Sequence, residues 1–277
     1  MARTVWDAAK LLGAITGIDI DDPKTKQSLG KRQIHYTRFL RETDLAGKRI
    51  AYLKTMEGKN HRLDQLMFLA IEDLKNNGAE VIELDKIVEG APGGFGAEQN
   101  SLEVMAHEFK DGLKKYLDNL GENAPVSNLK EAINATMRDS VEMLYFNLKR
   151  MKNAESKGDL NSKVYKDALV NMLKAFREQG LDRIMTKHNL DAIISPTGSP
   201  AWKTDLINGD KYYISTTVYA ALSGYPNINV PMGFIGNVPV GISFYGRAWS
   251  EPLLLEIAYA YEQNTNHRKP PEFLVTD

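Results

Sequence analysis

The run LDAIISPTGSPAW at residues 190–202 decides the fold, together with ISTTVYAALSGYPNINVPMG at 214–233 and VPVGISFYGRAW at 238–249. Asp191 to Ser195 is a short apolar run stopped by Pro196-Thr197-Gly198, the pattern of a buried strand. Ile214 to Leu222 reads as a helix that ends near Gly224. Asn227 to Val230 reads as a strand, which Gly236-Asn237 turns back toward Val240 to Tyr245. Pro252 suits the first turn of a closing helix, with Ser250 as its cap.

Similar patterns lie upstream. Thr4-x-x-Asp7 has the form of a capping box, and Val5, Ala8, Ala9, Leu12 and Ile15 follow at helical spacing up to Gly17. Asp19 to Gly30 is polar and loop-like. Lys48 to Leu53 and Glu80 to Asp85 read as strands. Between them Leu63, Leu66, Met67, Ala70, Ile71 and Leu74 mark one face of a helix that ends at Gly78. Strand, helix and strand in this order suit a parallel crossover. Glu89 to Gly96 reads as a loop. Met105 to Leu120, Leu129 to Met137 and Tyr165 to Phe176 read as helices, the first closed by Gly121 and the last by Gly180. The expected architecture is α/β, a mixed β-sheet flanked by helices. The chain reads as one α/β domain over 1–277, with a mainly helical insertion at 98–188 and neither repeats nor a clear linker.

Composition narrows the function classes. Of 277 residues, 43% are apolar and 26% charged, the balance of a globular chain, and the formal net charge is −1. That charge gives no general pull toward nucleic acid or anionic membrane. The basic stretch from Lys24 to Arg38 is followed by Glu42 and Asp44 and reads as a solvated surface. Cysteine is absent, which excludes disulfides, thiolate nucleophiles and cysteine metal sites and favours a reducing, cytoplasmic location. Apolar runs such as MFLAI fall far short of the roughly 20 residues of a membrane span. His35, His61, His107, His188 and His267 form no metal-binding spacing, so neither metal nor cofactor is expected.

The ordered motifs carry a resemblance. Ser195-Pro196-Thr197 after an apolar strand, Gly224-Tyr225-Pro226 before one, Val238-Pro239-Val240-Gly241 and Tyr245-Gly246-Arg247 together resemble the C-terminal end of the amidase signature family of serine hydrolases. The opening MARTVWDAAK resembles a segment from the middle of that family's chain, which reads GPMART, so Met1 corresponds to an internal methionine. Glu108-Phe109-Lys110, Tyr145-Phe146 and Asn208-Gly209-Asp210 look like the peptide-amidase-like branch. The A subunit of the tRNA-dependent glutamine amidotransferase is the runner-up. It recognises glutamine through an acid just before the segment matching Thr217, where Ile214-Ser215-Thr216 has none.

The resemblance implies an amidase fold without its N-terminal half. Family members break amides with a nucleophilic serine on a Gly/Ser-rich loop, a second serine on a cis peptide bond and a neutral lysine. Neither Ala91-Pro92-Gly93-Gly94-Phe95-Gly96 nor Ser195-Pro196-Thr197-Gly198-Ser199-Pro200 matches that loop, so no catalytic residue is carried over. The lone chain is therefore expected to be inactive. Its expected partner is the missing half, with this chain as one piece of a split enzyme, or a second copy through exposed sheet edges. The complete enzyme would take a small amide substrate. The resemblance also offers substrate-facing positions: Thr197 and Ser199 near the active-site mouth, Thr217 and Ala220 along the acyl pocket, and Trp202 as a wall. Each has a plainer reading, as a loop-capping hydroxyl or as packing.

Overall fold

The computed structural model describes residues 1–41, 44–88 and 95–271, with the backbone alone for 95–98. Residues 89–94 of the loop expected at Glu89 to Gly96 lie outside the described residues, and 95 and 96 open a helix. In chain order the elements are α1 (Val5–Ile15), β1 (Arg49–Leu53), α2 (His61–Asn76), β2 (Glu80–Leu84), α3 (Phe95–Leu120), α4 (Leu129–Thr136) and α5 (Ser140–Tyr145). Then follow α6 (Lys149–Glu155), α7 (Lys163–Phe176), α8 (Asp182–Lys187), β3 (Ala192–Pro196), α9 (Val218–Ser223), β4 (Asn227–Ile235), β5 (Val238–Tyr245) and α10 (Glu251–Thr265). They divide into two compact units, one of residues 1–87, 179–204 and 210–277, the other of 88–178 and 205–209. No helix among the described residues is long and apolar enough to cross a membrane.

The first unit holds a five-stranded mixed sheet of order β2-β1-β3-β5-β4. β1 runs parallel to β2 and to β3, whereas β5 runs antiparallel to β3 and β4. The parallel β1–α2–β2 pair forms because α2 presents Leu63, Met67, Ala70, Ile71 and Leu74 to the core at helical spacing. Asn60 caps it, accepting from the N–H groups of Arg62 and Leu63. Each fully buried leucine on that face contributes about 1.5–3 kcal/mol. One face of the sheet, including Ile50, Tyr52, Ile194, Ile242 and Phe244, packs into a single core with α1, α2 and α10. Across the sheet, Arg49 donates its backbone N–H to the Asp191 carboxylate at 2.7 Å and its Nε to the His188 carbonyl at 2.7 Å, which ties β1 to the entry of β3.

Several local expectations are met. Thr4 caps α1 by accepting from Asp7 N–H at 3.0 Å. Gly236, at φ +61°, sits in the turn from β4 to β5, and Gly224, at φ +70°, ends α9 in the left-handed conformation. Two expectations need correction. The helix read over Ile214 to Leu222 is confined to Val218–Ser223, because Gly198 and Ser215 form an antiparallel bridge and the Ile214 carbonyl accepts from Ser199 N–H. Ser250 stands before α10 but does not cap it, since its hydroxyl donates to the Arg247 carbonyl at 2.7 Å. The strand at Asn227 also runs further than read, to Ile235, with a register shift between Pro231 and Gly233 where proline has no N–H for the ladder.

The second unit is helical, and Ala106, Leu129, Ile133, Leu148 and Ala154 form its core. Its polar interior centres on His107, 2% exposed, whose Nδ1 lies 2.9 Å from the Glu103 carbonyl and whose Nε2 lies 3.4 Å from Ser162 Oγ. Lys157 reaches the Glu103 carboxylate at 2.7 Å, and Tyr165 donates to Glu108 at 2.8 Å. These contacts pin the start of α7 against α3, as buried polar groups require partners.

Candidate functional site

The first unit carries a cleft of about 540 Å³. Its walls are the first residues of the chain and α1, the β4 stretch Asn227 to Pro231, the start of β5, Glu262 in the last turn of α10 and Arg268 beyond that helix. Thr197, just past β3, lies on its floor. Thr197 N–H donates to the Gly241 carbonyl at 2.8 Å, and its hydroxyl shares a hydrogen bond with Ser243 at 2.9 Å. Close approach explains the glycine: a Cβ on Gly241 would stand 3.0 Å from Thr197 Oγ1 and 3.3 Å from the Val230 carbonyl.

The other candidate residues do not line this cleft. Ser199 Oγ accepts from the N–H groups of Tyr213 and Ile214, both at 2.9 Å, and so caps the incoming segment. Thr216, fully buried, donates to the Pro196 carbonyl at 2.6 Å. Trp202 donates its indole N–H to Asp210 at 2.9 Å and packs obliquely against Tyr212. Thr217 is exposed and shares a 3.3 Å contact with the Ser215 hydroxyl. Ala220 is buried in α9 and accepts from Gly224 and Tyr225 N–H at the helix end. The neighbouring Tyr219 stacks on Tyr245, and burial pushes both phenols above their ordinary range. The structure therefore brings Ser199 together with Tyr213 and Ile214, and sets Thr197 apart from it in the cleft.

The remaining polar groups of the cleft were not legible in the sequence. Glu262 accepts from Val5 N–H with both carboxylate oxygens, at 3.0 and 3.2 Å. Desolvation raises its pKa, partly opposed by that hydrogen bond. Asn227 turns a buried Nδ2 into the structure with no hydrogen-bond partner among the described residues. No local spacing announces either residue, because the groups they meet or lack are remote along the chain.

Chemically, the cleft has shape and polarity, and the carboxylate in its lining, Glu262, is engaged by Val5 N–H. Among the described residues its lining contains no serine, lysine or histidine. The Thr197 hydroxyl is engaged by another hydroxyl, which leaves it without an activating group. Among the described residues no group of three or more His, Asp or Glu could hold a metal ion.

Comparison with known proteins bears on this geometry. The Amidase family model matches residues 1–255. A probable amidase of Arabidopsis thaliana is 33% identical over 284 residues, covering 99% of this chain and 49% of that protein. The A subunit of the glutamyl-tRNA(Gln) amidotransferase of Desulforamulus reducens is 28% identical over 278 residues, covering 96% of this chain and 54% of that protein. Among solved structures, the native peptide amidase of Stenotrophomonas maltophilia is similar with a TM-score of 0.87 at 34% identity, over 99% of this chain and 54% of that one. The chain thus spans about half the length of the relatives it matches.

Proposed function

The chain belongs to the amidase signature family, and from that premise we propose that it is the C-terminal half of an amide-bond hydrolase, inactive without the N-terminal half. One observation carries this reading: the matches use nearly the whole of this chain and only about half of each relative. The cleft supports it, since it offers a wall for a substrate or partner and no nucleophile–base pair. In this reading the two serines and the lysine belong to the other half. Thr197, Ser199, Trp202, Thr217 and Ala220 stand as candidate substrate-facing or loop-supporting positions of the assembled enzyme. Its substrate is a small amide, and its location cytoplasmic.

The peptide-amidase-like branch is the preferred subclass, on 34% identity to a peptide amidase. The amidating component of a glutamine amidotransferase is the second reading, on 28% identity. It is weakened by the absence of an acid at Ile214-Ser215-Thr216.

Ammonia release from peptide amides tests the proposal. The lone chain is expected to release none above background, since loss of a serine nucleophile alone lowers turnover on the order of 10⁶-fold. Turnover by the purified lone chain, at a rate within about a hundredfold of an intact peptide amidase, would overturn it.

A further inference from the structure

Asparagine followed by glycine occurs twice in the chain, at Asn77-Gly78 and at Asn208-Gly209. Asparagine is a thermolabile side chain, because its amide carbon is an electrophile held close to the backbone nitrogen of the next residue. Ring closure between the two is intramolecular and needs no encounter. Glycine in the second position has no Cβ to block the approach and lets the backbone reach the angles it requires. The two pairs are alike in sequence, so their surroundings separate them.

Asn77-Gly78 is built into the first unit. Asn77 N–H donates to the Asp73 carbonyl at 3.0 Å, Gly78 N–H donates to the Lys75 carbonyl at 2.9 Å, and the Asn77 carbonyl accepts from Leu45 N–H at 2.8 Å. The flanking Leu74 and Ala79 are buried. A Cβ on Gly78 would stand 3.0 Å from the Ala46 nitrogen, so a second stretch of backbone lies against it. Freeing the Gly78 nitrogen means parting the end of α2 from Leu45 and Ala46.

Asn208-Gly209 lies in an exposed turn. Asp205 ties that turn together. Its carboxylate accepts from Ile207 N–H at 2.9 Å, from Asn208 N–H at 2.8 Å and from Asn208 Nδ2 at 3.0 Å, and its carbonyl accepts from Gly209 N–H at 3.0 Å. Leu206 is 55% and Ile207 93% exposed, so little packing stands behind these bonds. A solvent-exposed turn of this kind opens locally at low cost.

We propose that Asn208 is a site of spontaneous deamidation and that Asp205 is the positioning residue that sets its rate. When the turn opens, the Gly209 nitrogen gives its proton to hydroxide and attacks Asn208 Cγ. The Cγ–Nδ2 bond breaks, and the departing nitrogen takes a proton from water, which leaves ammonia, hydroxide and a cyclic imide. Water then opens the imide. Addition at Cγ gives aspartate, and addition at the Asn208 backbone carbonyl carbon gives isoaspartate, in which the chain runs through the former side chain. Either product places a new negative charge between Asp205 and Asp210 in the sequence. Asp205 slows the reaction, because its carboxylate anchors the amide nitrogen that must leave and the turn that must open.

Peptide mapping by mass spectrometry tests this, on the full chain held in mildly alkaline buffer. The peptide carrying Asn208 is expected to gain the mass of an amide-to-acid exchange and to split into two isomeric products, with one ammonia released per converted chain. The Asn77 peptide is expected to stay unchanged in the folded chain and to convert alongside Asn208 in guanidinium chloride. Asp205→Ala is expected to speed conversion at Asn208 about twofold to tenfold, the worth of one lost hydrogen bond, while Asn77 stays as it was. Asn208→Gln is expected to abolish the ammonia. Absence of conversion at Asn208, or earlier conversion at Asn77 in the folded chain, overturns the site. An Asp205→Ala rate at or below that of wild type overturns the role of Asp205. This ammonia is stoichiometric with the chain and indifferent to added peptide amide, which separates it from the turnover that would overturn the functional reading.

Discussion

Glu262 in the last helix holds the beginning of the first: its carboxylate oxygens lie 3.0 and 3.2 Å from the backbone N–H of Val5, 257 residues away in sequence. The first N–H groups of a helix lack partners within it, and a carboxylate there meets both the free donor and the positive end of the helix dipole. This clasp frames one end of the cleft. Desolvation nevertheless raises the Glu262 pKa, so folding favours its protonated form.

That shift predicts a pH dependence. For an acid whose folded pKa is raised, the folded state binds more protons than the unfolded state, so its contribution falls as pH rises from the ordinary carboxylate range through the folded pKa. Glu262→Gln keeps an acceptor for Val5 and removes the ionisation. Unfolding midpoints of wild type and Glu262→Gln should therefore agree near pH 4, with wild type losing ground above it. A wild type that gains on the variant with rising pH would refute this.

Gly13 offers a test of how closely α1 is seated. Alanine in place of an interior helix glycine ordinarily stabilises by roughly 0.5–1 kcal/mol. Here a Cβ would press well inside van der Waals contact on the Ile34 carbonyl oxygen, a backbone atom with little freedom to move. Gly13→Ala is expected to destabilise by about 1–3 kcal/mol, read by denaturant unfolding.

In the helical unit, Tyr165 donates to Glu108 at 2.8 Å, and burial together with that carboxylate pushes its pKa up to about 12. Stability from this group is fully present below the ordinary tyrosine value of about 10 and is lost as pH rises through about 12. Tyr165→Phe should cost about 0.5–1.5 kcal/mol at neutral pH and flatten the alkaline limb, followed by circular dichroism. An unchanged alkaline limb would count against it.

Thr197 and Ser243 hold the cleft floor through hydroxyls 2.9 Å apart, and Ser243 is fully buried. Thr197→Val leaves the serine without that partner and is expected to destabilise by about 1–3 kcal/mol, whereas Thr197→Ser should stay within about 0.5 kcal/mol of wild type. Equal losses in the two variants, measured by urea unfolding, would assign the effect to packing instead.

Much of the sheet was legible because its signals are local. Asp191 to Ser195 is apolar and bounded by Pro196 and Gly198, and it is β3 within one residue. Gly236-Asn237 does join two antiparallel strands. The reading failed where a tertiary bond outweighed local preference. Ile214 to Thr217 precede the helix at Val218 instead of joining it, because Ser199 captures the N–H groups of Tyr213 and Ile214 and holds them in a loop. Ser250 has the right residue type for a cap, but its hydroxyl donates to the Arg247 carbonyl instead. The candidate residues from 197 to 220 are close in sequence and sit in different environments: Thr197 in the cleft, Ser199 in the stitched loop, Ala220 in the interior.

By itself the sequence determined the period of each element, where glycine and proline stop it, and the ordered motifs that mark the family. These depend on sterics and one-sided burial within a few residues of chain. Only the tertiary structure decided that β3 lies between β1 and β5, that Glu262 holds Val5, and that Thr197 meets Ser243. Those relationships join residues far apart in the chain. They are settled by which surfaces the whole core can bury at once, and no window of sequence records that.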